Sequence, residues 1–193
     1  MRVIGGNAKK TLLRTPKGFD TRPTSDRVKE SVFNILSKFI EKSNFLDLFS
    51  GTGSIAIEAL SRCAHSAVLV EKNIKNVSII RENLKRTKLG SRSRVLAKDV
   101  FSAIKLLHGD KAEFDIIYMD PPYKSNIHNR ILQCILIYNI LSENGLVVVE
   151  SSSKNLPDPV ILVDRVELSR IILKKYGDTC VSFYRQNTLK GTC

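Results

Sequence analysis

The stretch Phe45-Leu46-Asp47-Leu48-Phe49-Ser50-Gly51-Thr52-Gly53-Ser54 runs from a short apolar strand into a glycine turn and then into helix-forming sequence. Glycines at 51 and 53 permit positive φ and let a ligand approach the backbone closely. The acid four residues before the first of them, Asp47, would repel a pyrophosphate and suits a cation.

Working outward, apolar runs alternate with helical periodicity. Phe45–Phe49, Ala67–Val70, Val95–Ala97, Phe114–Met119 and Leu146–Val149 read as buried strands, and 54–63, 73–88, 99–107 and 127–141 as the helices between them. Near-continuous apolar strands alternating with helices predict an α/β, doubly wound, mostly parallel sheet of seven strands. Leu168–Lys174 and Thr179–Tyr184 flank Tyr176-Gly177-Asp178 and read as a C-terminal antiparallel hairpin, with 186–193 as a tail. Upstream, Val28, Val32, Ile35, Leu36 and Phe39 recur at helical spacing after Thr24 and Ser25, which are possible N-caps. The opening Arg2–Gly6 and Thr11–Arg14 read as a small β-hairpin followed by a Pro/Gly loop. The expected organisation is a hairpin and loop over 1–24, one domain over 25–185 and the tail.

Ligands of doubly wound sheets bind at the carboxyl ends of the strands. Glu71 ends the second strand, beside Lys72, where a carboxylate can accept both hydroxyls of a ribose. Asp99 follows the third strand, beside Val100, where it can accept from an adenine amino group. Asp47, Glu71 and Asp99 at three successive strand ends suit a nucleoside bearing positive charge, and S-adenosylmethionine carries an ammonium and a sulfonium. The fourth strand ends in Asp120-Pro121-Pro122-Tyr123. Two prolines cannot continue a ladder and hold a stiff turn with fixed carbonyl directions. An exocyclic amine on a base is a poor nucleophile because its lone pair is delocalised into the ring. The Asp120 carboxylate and the Pro121 carbonyl, gripping its two hydrogens, would favour a pyramidal nitrogen, and Tyr123 offers a face for a base removed from its stack.

The net charge is +12, and it is uneven. Residues 1–42 hold ten Lys/Arg against four Asp/Glu and 72–98 hold nine against one, so the remainder is slightly acidic. Two basic segments suit a polyanion. Four scattered cysteines show no zinc or disulfide spacing, so no metal is expected and a reducing cytoplasm is. Nothing demands more than a monomer, and no apolar run approaches the ~20 residues of a membrane span. His65, His108 and His128 lie outside the motifs and read as surface or helix-end residues. Glu150 ends the fifth strand, as a support for the site at most.

The glycine turn, Glu71, Asp99 and Asp120–Tyr123 together resemble the class I amino-methyltransferases. Arg2-Val3-Ile4-Gly5-Gly6 and the run from Arg22-Pro23-Thr24-Ser25-Asp26-Arg27 to Ile35-Leu36 resemble the RsmD-type bacterial enzymes that methylate N2 of a guanine in small-subunit (16S) ribosomal RNA, and the resemblance spans roughly 1–185. It implies that Asp47, Ser50, Gly51, Thr52 and Gly53 line the methionine end of S-adenosylmethionine, Glu71 and Lys72 its ribose, and Asp99 and Val100 its adenine. Thr24 and Arg27 would contact the methionine carboxylate from a loop folded over the pocket. Asp120, Pro121, Pro122 and Tyr123 would hold the guanine, and Arg2, Lys9, Lys10, Arg14 and Arg22 would sit against ribosomal RNA or an assembling small subunit. Three alternatives remain: the same chemistry on adenine N6 or a protein glutamine, a nicotinamide oxidoreductase, and a non-catalytic RNA-binding protein.

Overall fold

The structure, a computed structural model, describes residues 1–16, 26–122 and 127–188. It divides into two compact units, Met1–Val100 and Phe101–Cys193.

In the first unit, β1 (Asn44–Asp47), β2 (Ser66–Val70) and β3 (Ser93–Leu96) run parallel in the order β3-β2-β1. Val68 sits in register with Leu46 on one side and Arg94 on the other. Three helices accompany them: α1 (Asp26–Ile35), α2 (Ser54–Ser61) and α3 (Ile74–Thr87). Asn73 starts α3, its side chain accepting from the Lys75 amide at 2.9 Å, and left-handed Lys88 ends it. Every residue of α2 is buried, although Ser54, Glu58 and Ser61 are polar. An all-buried helix needs cover on every face.

The amino-terminal segment supplies part of that cover. The amides of Ile4 and Gly5 donate to the two carboxylate oxygens of Glu58 at 2.8 and 2.7 Å. The Ser61 hydroxyl donates to Gly5 O and accepts from the Ala8 amide. Gly6, at φ +72°, lies so close to α2 that a Cβ would fall 1.8 Å from the Ser61 carbonyl oxygen. The expected hairpin is present and short: beside the antiparallel bridge of Arg2 with Leu12, the Val3 amide donates to Thr11 O at 3.0 Å, the Lys10 amide to Val3 O at 2.9 Å and the Leu13 amide to Met1 O at 3.0 Å, while Ile4, Gly5 and Ala8 turn their amides to α2.

In the second unit the order is β4-β5-β8-β7-β6. Here β4 (Phe114–Met119) pairs in parallel with β5 (Leu141–Ser152), while β6 (Val160–Val163), β7 (Val166–Tyr176) and β8 (Thr179–Thr188) pair antiparallel. The helices are α4 (Val100–Gly109) and α5 (Ile127–Ile137). The described residues thus hold eight strands, one more than expected. The addition is β6, a four-residue strand after the prolines at 157 and 159. Strand β8 continues to Thr188, past the point where the tail was expected, because β7 pairs with it as far as Val166↔Thr188. Among the described residues no helix is long and apolar enough to cross a membrane, and Cys63, Cys134 and Cys180 are free thiols.

Candidate active site

At the end of β1, Asp47 is 1% exposed, and its Oδ2 has no hydrogen-bond partner among the described residues. Burial pushes its carboxyl up to about 7, against the opposing pull of the Phe49 and Ala56 backbone amides. A buried acceptor without a donor is costly, and a cation or N–H donor placed there would relieve the cost.

The following turn is shaped by backbone bonds. The Ser50 amide donates to Val70 O at 3.0 Å, its hydroxyl to the Asp47 carbonyl at 3.0 Å, and the Gly53 amide returns to Ser50 O at 2.6 Å. Gly51 and Gly53 both have positive φ, +54° and +80°. They differ in surroundings. A Cβ on Gly51 would meet no atom of the described residues within 4 Å, so they leave open space before it. A Cβ on Gly53 would meet Leu69 at 3.2 Å, which makes this glycine a packing requirement between turn and core.

Glu71 ties the end of β2 to the turn. Its Oε2 accepts from the Gly51 amide at 3.0 Å and its Oε1 from the Asn73 amide at 2.7 Å. A carboxylate has about four lone-pair sites, so two remain for hydroxyl donors. Lys72 and Asp99 are exposed and Val100 is buried at the start of α4. These acids, the turn and the open space before Gly51 fit a cationic nucleoside such as S-adenosylmethionine. Thr52 sends its carbonyl to Asn83 Nδ2 at 3.0 Å and its hydroxyl toward Met1 Sδ at 3.8 Å, which gives it a bracing position. Arg27 is exposed in the first turn of α1, and Thr24 lies outside the described residues.

In the second unit, Asp120 follows β4 half-buried, Pro121 is buried and Pro122 exposed, while Tyr123 lies outside the described residues. Beneath them is a polar cluster that the periodicity does not reveal. The Tyr118 hydroxyl donates to Glu150 Oε2 at 2.6 Å, and both residues are buried. His128, expected at the surface or at a helix end, lies in the first turn of α5 and is buried, and burial lowers its pKa against a backbone hydrogen bond at Glu150. A Tyr in an apolar strand reads as core, and only its bond to the buried Glu150 carboxylate marks it.

The residues expected against RNA divide. Lys9 and Lys10 are exposed. Arg2 is exposed and faces Asp26 at 3.9 Å, and Arg14 pairs with Glu82 of α3. Arg22 lies outside the described residues. Among the described residues no group of three or more His, Cys, Asp or Glu could hold a metal ion.

A family model described as conserved hypothetical protein 95 matches residues 1–185. YlbH of Bacillus subtilis (strain 168), named as a candidate rRNA methyltransferase, is 34% identical over 96% of this chain and 99% of its own length. Ribosomal RNA small subunit methyltransferase D of Escherichia coli (strain K12) is 32% identical over 80% of this chain and 76% of that protein. Among solved structures, a candidate methyltransferase of Escherichia coli, YhhF, matches with a TM-score of 0.82 at 29% identity, covering 98% of this chain and 99% of that one. With an α/β methyltransferase fold and these relatives, the chain belongs to the conserved hypothetical protein 95 family, that of the small-subunit rRNA methyltransferase D proteins.

Proposed function

We propose that the protein transfers a methyl group from S-adenosylmethionine to the exocyclic N2 amine of a guanine in small-subunit ribosomal RNA. The observation that carries the reading is the Oδ2 of buried Asp47, partnerless among the described residues, together with the face of Gly51 that those residues leave open. A dinucleotide would put phosphate there, against a carboxylate. The relatives named for small-subunit rRNA methylation support the acceptor class.

When bound, S-adenosylmethionine supplies a methyl carbon already activated by the sulfonium, so no metal is required. Asp47 accepts from its ammonium, Glu71 holds the ribose through its remaining lone pairs, and Asp99 accepts from the adenine amine. Ser50, Gly51 and Gly53 shape the turn, with Thr52, Lys72 and Val100 adjoining. Thr24, at the end of the 1–24 segment, and Arg27, in the first turn of α1, hold the methionine carboxylate. Asp120 and the Pro121 carbonyl accept the two hydrogens of the guanine amine and aim its lone pair at the methyl carbon, while Pro122 stiffens the turn and Tyr123 stacks on the base. As the N–C bond forms, the C–S bond breaks. The nitrogen then gives one proton to Asp120 or to water. Orientation of a weak nucleophile is the chain's main contribution.

The test uses labelled methyl donor with unmodified small ribosomal subunits, naked small-subunit rRNA and duplex DNA offered separately, followed by digestion to nucleosides. Label in N2-methylguanosine from ribosomal material is expected. Label in methyladenosine, in DNA or in protein glutamine would overturn the acceptor. In parallel, Asp120→Ala should reduce methyl transfer at least a hundredfold, with S-adenosylhomocysteine affinity within about twofold. Equal loss of both would refute the division of roles between Asp120 and the turn.

A further inference from the structure

We propose that the outer face of α3, locked to the amino-terminal segment, docks the phosphate backbone of the RNA, a proposal that rests on the RNA reading above. The helix carries Lys75, Arg81, Lys85 and Arg86, and Lys88 follows at its end; all five are exposed. Its one acid, Glu82, already pairs with Arg14 of the amino-terminal segment. Among the described residues no carboxylate lies within ion-pairing distance of Lys75, Arg81, Lys85 or Lys88.

Arg81, Lys85 and Lys88 stand at i, i+4 and i+7, one stripe about 10 Å long. Like charges at that spacing repel, so a face selected for helix stability would alternate signs. A polyanion lying along the stripe converts the repulsion into attraction by releasing counterions. Not every cation of the region belongs to it: the Arg92 guanidinium donates to Ala64 O and Leu60 O at 2.8 and 3.0 Å, as a brace on the end of α2.

The opposite face of α3 shows why this surface is in register with the cofactor turn. Asn83 is fully buried. Its Oδ1 accepts from the Arg14 amide at 2.7 Å, and its Nδ2 donates to Arg14 O and to Thr52 O, both at 3.0 Å. Arg86 adds a donor to Leu12 O at 3.4 Å. One side chain therefore ties α3, the amino-terminal segment and the glycine turn together.

The experiment compares wild type with the double variant Arg81→Glu/Lys85→Glu and with Lys38→Glu/Lys105→Glu, a control of equal charge change at exposed positions elsewhere. Binding to naked small-subunit rRNA is measured as a function of salt. The α3 variant should bind about tenfold more weakly than the control, with a log–log salt slope shallower by roughly 1.4. Its S-adenosylhomocysteine affinity and melting temperature should match the control's, and Arg81→Gln/Lys85→Gln should show an intermediate loss. An RNA affinity and slope equal to the control's would overturn the proposal. So would a fall in melting temperature without loss of RNA affinity, which would give the charges to the helix terminus. Absence of salt-dependent binding by the wild type itself would instead bring down the RNA reading, and this proposal with it.

Discussion

Asp47 is held almost wholly out of water with one carboxyl oxygen lacking a partner among the described residues, and its pKa rises to about 7 because burial disfavours the ionised form. In the free protein the raised pKa favours folding below the ordinary carboxylate range, near 3.8, and that contribution fades as pH rises through about 7. A bound ammonium reverses the preference, since it needs the carboxylate. Cofactor affinity should therefore climb up to about tenfold per pH unit below 7 and level off above it, with one proton released on binding. Calorimetric titration of S-adenosylhomocysteine from pH 5.5 to 8 in buffers of differing ionisation enthalpy checks this. Asp47→Asn should flatten the profile and bind more weakly throughout, whereas a wild-type profile that is already flat would remove Asp47 from the ammonium site.

At the scale of elements, α2 shows how a helix with a charged residue at its centre is buried completely. Glu58 takes the Ile4 and Gly5 amides, Arg62 Nε at 2.8 Å and the buried Lys29 ammonium at 3.7 Å, and Lys29 also donates to Arg2 O at 2.8 Å. Burial lowers the Lys29 pKa, and Glu58 opposes the shift. Removing the acid strands a buried cation and two amides, so Glu58→Ala should cost about 3–5 kcal/mol in urea unfolding. Glu58→Ala/Lys29→Met should recover part of that by removing the stranded charge. A single-variant loss below about 1 kcal/mol would mean water takes over these bonds.

The same helix marks where sequence reasoning stops. Its span, the glycine turn and β4 are legible because periodicity and glycine spacing are local properties. Glu58 carries no such signal: as the fifth residue of an amphipathic pattern it reads as solvated, and only the segment folded across it makes it core. Strand β6 escapes for a related reason, since Val160–Val163 is too short for alternation to register and gains its identity from pairing with β7. At the site, Asp47, Glu71 and Asp120 could be placed at strand ends from sequence. The links from Asn83 to Thr52 and from Tyr118 to Glu150 join residues 31 and 32 positions apart, and no local pattern encodes them.

For the whole molecule, the question is whether the amino-terminal segment is an RNA-binding appendage or part of the body. The bonds from Ile4, Gly5 and Ala8 to α2, with Arg14 held by Asn83, place its backbone in the body. The side chains of Lys9 and Lys10 face outward and are free to serve a polyanion. Backbone and charge should then separate experimentally. Lys9→Glu/Lys10→Glu should weaken rRNA binding and lower its salt slope by roughly 1.4 while leaving the melting temperature within about 1–2 °C of wild type. Deleting residues 2–14 should lower the melting temperature by several degrees even without RNA, because Glu58, Ser61 and Asn83 lose their amino-terminal partners together and each stranded buried group costs about 1–3 kcal/mol. Thermal melts of both variants alongside salt titrations decide the matter. A deletion that melts like wild type would make the segment a removable arm and would also undercut the register that Asn83 imposes between α3 and the glycine turn.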